Sequence, residues 1–340
     1  MIRVGVVGLG HWGPNLVRNF GTIPDVAVTA CCDSNPERVK RVCDRFVQAK
    51  PALEAREMLC TENIDAVAIA TPSKTHYSIA KLALEKGLHV FVEKPLATSL
   101  GECEDLIQLA KNKDLVLMVG HIFLYNAAVI KLKELVDSGE LGDLCYLSSA
   151  RLNLGPIRQD VNALWDLSVH DISIMLHLMD CLPISVNCQG LAYVNKNVHD
   201  VCVLTLEFES GTVGFVHCSW LDPKKVRYMA VVGKERMATY DDLKPTEKII
   251  IYDKKVEKPL DYETFGEFQF SHQYGDMYTP RLQQVEPLKA ECEHFIDCIK
   301  RGAKPKTDGQ NGLEVVRVLE LADMSLQNHG GKVYLNGRNS

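Results

Sequence analysis

Three glycines with the spacing Gly8-x-Gly10-x-x-Gly13 constrain this chain more than any other feature. They follow directly on an apolar run at residues 2–7, and a helical pattern begins at Pro14. In that context the first glycine permits a tight turn, the second lets a ligand approach the backbone, and the third lets helix and strand pack closely. The N-terminus of the helix then presents N–H groups that bind phosphate. The turn therefore predicts a binding site for a dinucleotide.

Strand and helix patterns alternate through the first 120 residues, with short connections between them. The alternation predicts an α/β unit, in which helices cover both faces of a parallel sheet as in a Rossmann domain. The expected strands are residues 2–7, 26–32, 64–70, 89–92 and 116–119, and the expected helices are 14–20, 36–46, 75–86 and 99–112.

The pattern changes after about residue 120, and we expect two domains, 1–120 and 121–340. The second should hold a large, mostly antiparallel sheet covered on one face, whose open face would pair copies into a homodimer or homotetramer. Residues 253–285 are the least regular part and are expected to form a long loop or arm. The expected helices are 126–138, 162–179, 287–301 and 309–328, and the expected strands are 145–152, 185–194, 201–208, 212–220, 226–232, 236–240 and 247–252.

Charge and cysteine usage argue against several classes of function. The net charge of −6 argues against binding of nucleic acid through phosphate neutralisation. The first residues do not read as a signal peptide, and the apolar runs are too short to span a membrane, so we expect no membrane partner. The twelve cysteines are scattered without C-x-x-C spacing, and we expect reduced thiols, a cytoplasmic location and no metal site.

The end of the second strand indicates which dinucleotide binds. Asp33 stands 20 residues after Gly13, where a carboxylate can accept both hydroxyls of the adenosine ribose and would repel a 2′-phosphate. This favours NAD over NADP, although Arg38 lies nearby and could accommodate a phosphate. The other residues expected to contact the cofactor here are His11, Trp12 and Ser34.

The carboxyl ends of the third and fourth strands should meet the same ligand, because ligands of open α/β sheets bind there. Thr71 and Pro72 end the third strand, and Glu93 and Lys94 end the fourth. Lys94 is a candidate to stabilise a developing alkoxide, since its ammonium carries three donors on a flexible stem. His76 begins the following helix. Its position is equally consistent with a contact to the cofactor and with a hydrogen bond to nearby backbone.

The second half of the chain offers one compact acid and base pair. Asp166 and His170 are four residues apart on an expected helix and share a face, and a histidine has the pKa range of a general base. By spacing alone such a pair is more often a surface contact than a catalytic one. The further candidates for substrate binding are Tyr125, Asn126, Arg158 and Asn162, of which Arg158 could pair with a diphosphate.

The motifs taken together resemble the Gfo/Idh/MocA oxidoreductases. The resemblance rests on the glycine turn, Thr71-Pro72-x-x-x-His76, Glu93-Lys94-Pro95 and Asp166-x-x-x-His170-Asp171, and it extends over nearly the whole chain. It implies a dehydrogenase that uses NAD or NADP to oxidise a sugar or cyclitol hydroxyl. It also implies that Lys94 contacts substrate and nicotinamide, that His170 is the general base, and that Asp166 assists it.

One departure points to a subgroup of that family. Many members carry a Gly-Gly pair shortly before the catalytic Asp, where this chain has Val161-Asn162. The form found here, with Gly155-Pro156-Ile157-Arg158, is similar to members that act on nucleotide sugars. The resemblance then implies oxidation of the 3-hydroxyl of a UDP-linked N-acetylhexosamine. Two alternatives stay open, a dehydrogenase of a free sugar or inositol and a dinucleotide-binding sensor without turnover.

Overall fold

The computed structural model describes residues 1–155, 157–159, 161–196, 198–257 and 271–335, and it describes only the backbone at 255–257 and 271–274. Contacts within the chain divide it into two compact units. One consists of Met1–Asn126 with Val285–Arg317, and the other of Ala127–Gln284 with Val318–Ser340. The units are therefore not two consecutive stretches of chain, whereas the domains expected from sequence, 1–120 and 121–340, are.

The first unit contains a parallel sheet of six strands in the order β3-β2-β1-β4-β5-β6, the doubly wound order of dinucleotide-binding domains. This arrangement confirms the predicted Rossmann sheet. The strands are β1 (Ile2–Val7), β2 (Val26–Cys32), β3 (Lys50–Ala52), β4 (Ala66–Ile69), β5 (His89–Glu93) and β6 (Leu117–Gly120).

Helices flank this sheet and begin where the sequence supplies a start signal. Pro14 stands in the first turn of α1, the Asn35 side chain accepts N–H bonds at the start of α2, and the Ser99 side chain caps α5. The helices of this unit are α1 (Gly13–Phe20), α2 (Pro36–Cys43), α3 (Ala55–Thr61), α4 (His76–Glu85), α5 (Leu100–Asn112) and α8 (Pro287–Arg301).

Helix α8 joins the first unit through an aromatic cluster. The ring of Phe295 packs edge-on against those of Phe20 and Phe91, with centroids 6.1 and 5.8 Å away. All three side chains are fully buried. Aromatic burial of this kind fixes the helix against the sheet, although the helix is distant in sequence.

The second unit is built on a nine-stranded sheet in the order β14-β13-β12-β11-β7-β10-β9-β8-β15. Among the strands that the structure describes in this sheet, only β7 and β10 pair in parallel, so the predicted, mostly antiparallel sheet is confirmed. The strands are β7 (Leu144–Leu152), β8 (Ser185–Leu191), β9 (Val201–Glu207), β10 (Val213–Ser219), β11 (Val226–Gly233), β12 (Met237–Asp241), β13 (Ile249–Glu257), β14 (Ser271–Tyr278) and β15 (Val333–Tyr334).

The two faces of this sheet differ in their side chains. One face carries buried apolar residues such as Leu147, Leu204 and Val216, and helix α7 (Val169–Met179) packs on its central strands. The other face exposes large apolar side chains. The exposed apolar side chains of this face include Tyr146, Val203, Phe215 and Tyr228. The remaining helices are α6 (Ala127–Asp137) and α9 (Gly309–Gln327).

Several elements differ from the sequence expectation. Strand β3 and helix α3 occupy residues for which no element was predicted, because both are short and carry charged residues. The expected long loop or arm at 253–285 contains two paired strands in its described part, since β13 continues to Glu257 and pairs with β14. Residues 258–270 of that segment lie outside the described residues. The expected helix 162–179 begins with a π-helical turn at Leu164–Ser168 before α7.

No helix among the residues described combines the length and the apolar character needed to cross a bilayer.

Candidate functional site

The glycine turn of the first unit fits a dinucleotide pyrophosphate. Gly8 has a φ of +92°, and a Cβ at Gly13 would lie 2.0 Å from the Gly8 carbonyl oxygen, so neither position accepts a larger residue. A Cβ at Gly10 would instead project into a cradle whose nearest atom is an Arg38 nitrogen 3.9 Å away. Helix α1 has no side-chain cap and no acidic residue in its first turn. Its N–H groups therefore suit a phosphate ligand.

Asp33 lies beside this turn and already holds part of it. One carboxylate oxygen accepts the Leu9 N–H at 2.7 Å, and the other accepts the Asn35 N–H at 2.9 Å. The Arg38 guanidinium lies 3.6 Å from the carboxylate and is half exposed. Asp33 is 7% exposed. Through these bonds its carboxylate joins the end of β2 to the glycine turn and to the start of α2.

His76 bridges two loops at the ends of β4 and β5. Its Nδ1 lies 2.8 Å from the Pro95 carbonyl oxygen and its Nε2 lies 2.8 Å from the Thr71 carbonyl oxygen. Burial lowers the pKa of His76, and the two carbonyl oxygens oppose that shift. Because both ring nitrogens face backbone, the structure supports the backbone-bonded alternative for His76 and not a direct cofactor contact.

Lys94 follows β5 directly and is half-buried. Burial lowers the pKa of the neighbouring His121 to about 3, and the charge of Lys94 adds to that shift. Burial also raises the pKa of Glu93 to about 7, although Lys94 opposes this. The ammonium therefore acts on several ionisable groups at the carboxyl end of the sheet, where a dinucleotide is expected.

In the second unit, neighbouring side chains hold the Asp166 carboxylate. One oxygen accepts from an Arg158 nitrogen and the other from the Trp220 indole, each at 3.2 Å. Asp166 stands in the π-helical turn, a feature found frequently at functional sites. Arg158 and Asp166 are both partly exposed, with 34% and 21% of their side chains accessible. The arrangement leaves a fixed, partly accessible carboxylate shortly before α7.

His170 stands in the first turn of α7, and its neighbour Asp171 anchors that turn to the sheet. Arg151 on β7 binds Asp171 through two bonds, Nε to Oδ2 at 2.6 Å and Nη2 to Oδ1 at 3.2 Å. Both side chains are almost fully buried. His170 itself is partly exposed. The ion pair therefore sets the position of the helix turn that carries His170.

Two of the predicted substrate contacts have other partners in the structure. The Tyr125 hydroxyl is buried against Thr307 at 3.2 Å, so it is not available to a substrate. The Asn162 side chain accepts the Trp165 N–H and donates to Asp323, which makes it part of the local backbone support. Asn126 is buried and follows the short helical turn Ile122–Tyr125.

The remaining predicted cofactor residues lie around the glycine turn and the end of β4. His11, Trp12 and Ser34 are exposed, and the His11 and Trp12 rings contact edge-on. Thr71 accepts a bond from the Thr75 hydroxyl, and exposed Pro72 precedes the turn Ser73–Thr75.

Trp220 binds the Asp166 carboxylate and Arg151 binds the Asp171 carboxylate, but neither residue was predicted from the sequence. Arg151 occupies an inward position of an alternating strand, so a charge there could have signalled a buried partner. Trp220 lies 54 residues from Asp166 and carries no such signal.

A family model for oxidoreductases with an NAD-binding Rossmann fold, GFO_IDH_MocA, matches residues 2–121. A model for the GFO/IDH/MocA C-terminal domain matches residues 129–239.

Individual relatives agree with these matches. UDP-N-acetylglucosamine 3-dehydrogenase of Acidithiobacillus ferrooxidans is 31% identical over 72% of this chain and 75% of its own length. Myo-inositol 2-dehydrogenase of Thermotoga maritima is 25% identical over 96% of each chain. A solved structure of UDP-N-acetylglucosamine 3-dehydrogenase GnnA from Acidithiobacillus ferrooxidans superposes with a TM-score of 0.80 and 26% identity, over 96% of this chain and 98% of that one.

Proposed function

The chain belongs to the Gfo/Idh/MocA oxidoreductases, NAD-dependent dehydrogenases that act on CH–OH groups, and from that premise we propose that it oxidises the 3-hydroxyl of a UDP-linked N-acetylhexosamine to a ketone. The similarity to UDP-N-acetylglucosamine 3-dehydrogenase carries this choice of substrate. NAD supplies a hydride acceptor when it is bound. The residues of this chain supply the binding, the proton transfer and the charge stabilisation.

The glycine turn and the start of α1 would hold the pyrophosphate, and Asp33 would accept the ribose hydroxyls. A carboxylate that also holds the Leu9 N–H is fixed in position before any ligand arrives. Such a carboxylate would repel a 2′-phosphate, and this supports NAD as the cofactor.

Lys94 would donate a hydrogen bond to the substrate oxygen. As the hydroxyl loses its proton, negative charge develops on that oxygen, and a nearby ammonium stabilises it. His76 would act only indirectly, since it joins the Thr71 and Pro95 carbonyl groups that flank this lysine in the fold. We assign it a positioning role.

His170 would accept the hydroxyl proton as general base, and Asp166 would orient the substrate or the imidazole. The Asp171–Arg151 pair fixes the turn that carries His170, which restricts the ring to few positions. Preorganised groups of this kind lower the barrier because they do not reorganise during the reaction.

Arg158 would bind the diphosphate of a nucleotide sugar. Its guanidinium is partly exposed, and its planar fork suits phosphate oxygens. Because Asp166 already binds one Arg158 nitrogen, a diphosphate bound to this arginine would lie beside the carboxylate assigned to the reaction.

A substrate panel tests this proposal. The protein is incubated with NAD and either UDP-N-acetylglucosamine, UDP-glucose, N-acetylglucosamine, myo-inositol or scyllo-inositol, and NADH absorbance is followed. We expect turnover with the UDP-linked N-acetylhexosamine. Turnover with free polyols alone would overturn the nucleotide-sugar assignment, and tight NAD binding without any turnover would support a sensor.

Variants test the roles of the side chains. We expect Lys94→Met and His170→Asn each to lower kcat by about 10²–10⁴-fold while NAD binding is retained. Lys74→Met, which removes an exposed lysine of the same unit, is the matched control. A Lys94→Met protein that turns over like this control would refute the role of Lys94.

Oxidation of an inositol is the second candidate. The similarity to a myo-inositol 2-dehydrogenase over nearly the full length of both chains favours it. The Arg158→Ala variant separates the two candidates, because it should raise the KM of a UDP-sugar strongly and that of an inositol much less.

We also propose that the open face of the nine-stranded sheet joins copies of this chain. Tyr146 and Phe215 stack edge-on at 6.4 Å on that face, and Tyr228 and Val203 extend the apolar area. Clusters of exposed apolar side chains commonly mark interfaces between proteins. We expect Phe215→Lys to yield monomers in sedimentation velocity, and an unchanged mass would contradict this interface.

A further inference from the structure

Glu291 is a fully buried carboxyl group that no motif singled out. It lies on α8, with 0% of its area exposed, and neither carboxyl oxygen has a hydrogen-bond partner among the described residues. Leaving a buried carboxylate unpaired costs several kcal/mol, so the group is expected to carry a proton or serve a function.

The packing of α8 brings Glu291 towards Glu93. Glu291 and Phe295 are four residues apart on one face of the helix. Phe295 stacks against Phe91, and Phe91 and Glu93 are two residues apart on one face of β5. The carboxyl group of Glu93 therefore lies on the side of the sheet that α8 covers, and its charge raises the pKa of Glu291 in addition to the larger effect of burial.

The sheet leaves room for the Glu93 carboxyl group at this point. Glu93 pairs with Gly120 on β6, and a Cβ at Gly120 would lie 3.2 Å from a Glu93 carboxyl oxygen. The next residue, His121, is also buried, and neither of its ring nitrogens has a partner among the described residues. Glu93 and His121 thus stand at the same end of the sheet, where the charge of Lys94 acts on both.

The charges around the two carboxyl groups do not balance if both are ionised. Lys94 is the cation whose charge acts on Glu93. His121, with a pKa of about 3, is neutral at neutral pH. Tyr125 and Cys292 also face Glu291, and burial raises the pKa of both, so neither adds a positive charge. The Lys306 ammonium lies 5.8 Å from the centroid of the Tyr125 ring and donates to the Leu124 carbonyl oxygen. Because Lys94 is the cation that acts on the pair through Glu93, two nearby carboxylates favour retention of one proton.

We propose that Glu291 and Glu93 form a carboxyl–carboxylate pair that keeps one proton in the native protein, and that this pair positions the Lys94 ammonium. With one proton, the pair presents a single negative charge to Lys94. If the proton were lost, a second negative charge would draw the ammonium towards the sheet and away from a bound hydroxyl. Glu291 is then a positioning residue, and this role rests on the function proposed above for Lys94.

The first experiment counts protons and does not depend on catalysis. Unfolded glutamates are ionised at pH 7, so unfolding must release any proton that the pair holds. We expect Glu291→Gln to release about one proton fewer than the natural chain on unfolding at pH 7, measured by calorimetry in buffers of different ionisation enthalpy. Glu293→Gln, an exposed change on the same helix, should release as many as the natural chain.

The second experiment connects the pair to Lys94. We expect Glu291→Gln to displace the pH profile of kcat/KM. In the natural chain, loss of the proton that the pair keeps adds a negative charge beside Lys94 as the pH rises, and the variant lacks this titration. Glu293→Gln should keep the natural profile. Glu291→Met, which fills the same space without a polar group, should give the same displaced profile and should melt at a higher temperature at pH 8.

The outcomes separate the two proposals. Equal proton release in the natural chain and Glu291→Gln would overturn the retention of a proton by the pair. A loss of one proton with an unchanged pH profile would overturn the positioning of Lys94. If the natural chain turns over no sugar or inositol, the proposed function fails, while the proton count still decides whether the pair exists.

Discussion

Two of the candidate catalytic residues, Lys94 and His170, each have an acidic neighbour in the sequence, and the two neighbours have different surroundings in the structure. Asp171, which follows His170, is 3% exposed and is held by two bonds from Arg151. Glu93, which precedes Lys94, faces the buried Glu291, and burial raises its pKa to about 7. The first carboxyl group has a dedicated cation in Arg151, whereas Glu93, on which the charge of Lys94 acts, lies beside a second acid.

The difference teaches what a buried acid can contribute to a site. A paired carboxylate keeps its charge and fixes the element that carries it, because separating it from its cation would strand a buried charge. An acid beside another acid gives up charge instead, and its proton responds to pH. We therefore expect the surroundings of His170 to be rigid and those of Lys94 to be adjustable.

The largest expected effect comes from removing the cation of the paired acid. Arg151→Met leaves Asp171 buried without its partner, and we expect the free energy of unfolding to fall by about 3–5 kcal/mol in urea denaturation. The double variant Arg151→Met with Asp171→Leu should recover most of that loss, because neither buried charge remains.

Arg227→Met is the matched control on the neighbouring strand. Arg227 also binds an aspartate, Asp242, but 37% of its side chain is exposed. An exposed pair contributes at most about 1 kcal/mol. If Arg151→Met costs no more than this control, the Arg151–Asp171 pair does not anchor α7.

A smaller effect is expected on catalysis when the acid itself is neutralised. Asp171→Asn keeps the shape of the side chain and loses its charge, so the turn that carries His170 is less well fixed. Misplacement of a catalytic group by about 1 Å costs about 10²-fold in rate, and we expect that loss in kcat/KM with NAD binding unchanged. Asp180→Asn, at the exposed end of α7, should leave kcat/KM unaltered. Equal rates in the two variants would contradict the role of the ion pair.

The acid without a dedicated cation should be detected through pH. The native pKa of Glu93 is about 7, above the ordinary value of 4.5, so the native state binds more protons than the unfolded state between these values. The stability that comes from this proton is fully present below about pH 4.5 and is lost as pH rises towards 7.

We expect the natural chain to lose about 2–3 kcal/mol of its free energy of unfolding across that window relative to Glu93→Gln, in urea denaturation at several pH values. Glu102→Gln, at the start of α5, is a comparison outside this pair. Parallel curves for the natural chain and Glu93→Gln would show that Glu93 titrates normally.

The sequence predicted the parts of the fold that follow from local periodicity. The glycine turn, the alternating strands and helices, and α8 at 287–301 agree with the structure within a few residues. Strand β14 was missed because its pairing with β13 is a contact between segments, which composition alone does not indicate.

The candidate site was less predictable for the same reason. Tyr125 was expected to line a substrate cleft, but its hydroxyl is taken by Thr307, which is 182 residues away. Glu291 has no sequence signal of its own, since an acid among apolar helix positions looks like an exposed residue until its helix is packed. Such partners are set by tertiary packing, which spacing along the chain does not encode.

Asp33 is a third buried acid that can be compared with Asp171 and Glu93, and its substitution is expected to have the smallest effect of the three. It is buried like Asp171, but its oxygens accept two backbone N–H groups, and its cation, Arg38, is half exposed and 3.6 Å away. A carboxylate held in this way is fixed in position for a ligand. We expect Asp33→Ser to reduce the preference for NAD over NADP by about tenfold, or about 1.4 kcal/mol, in binding titrations with both cofactors. Asp44→Ser, at the other end of α2, should leave the ratio unaltered. If Asp33→Ser also keeps the natural ratio, the carboxylate supports only the turn, and its role matches that of Asp171.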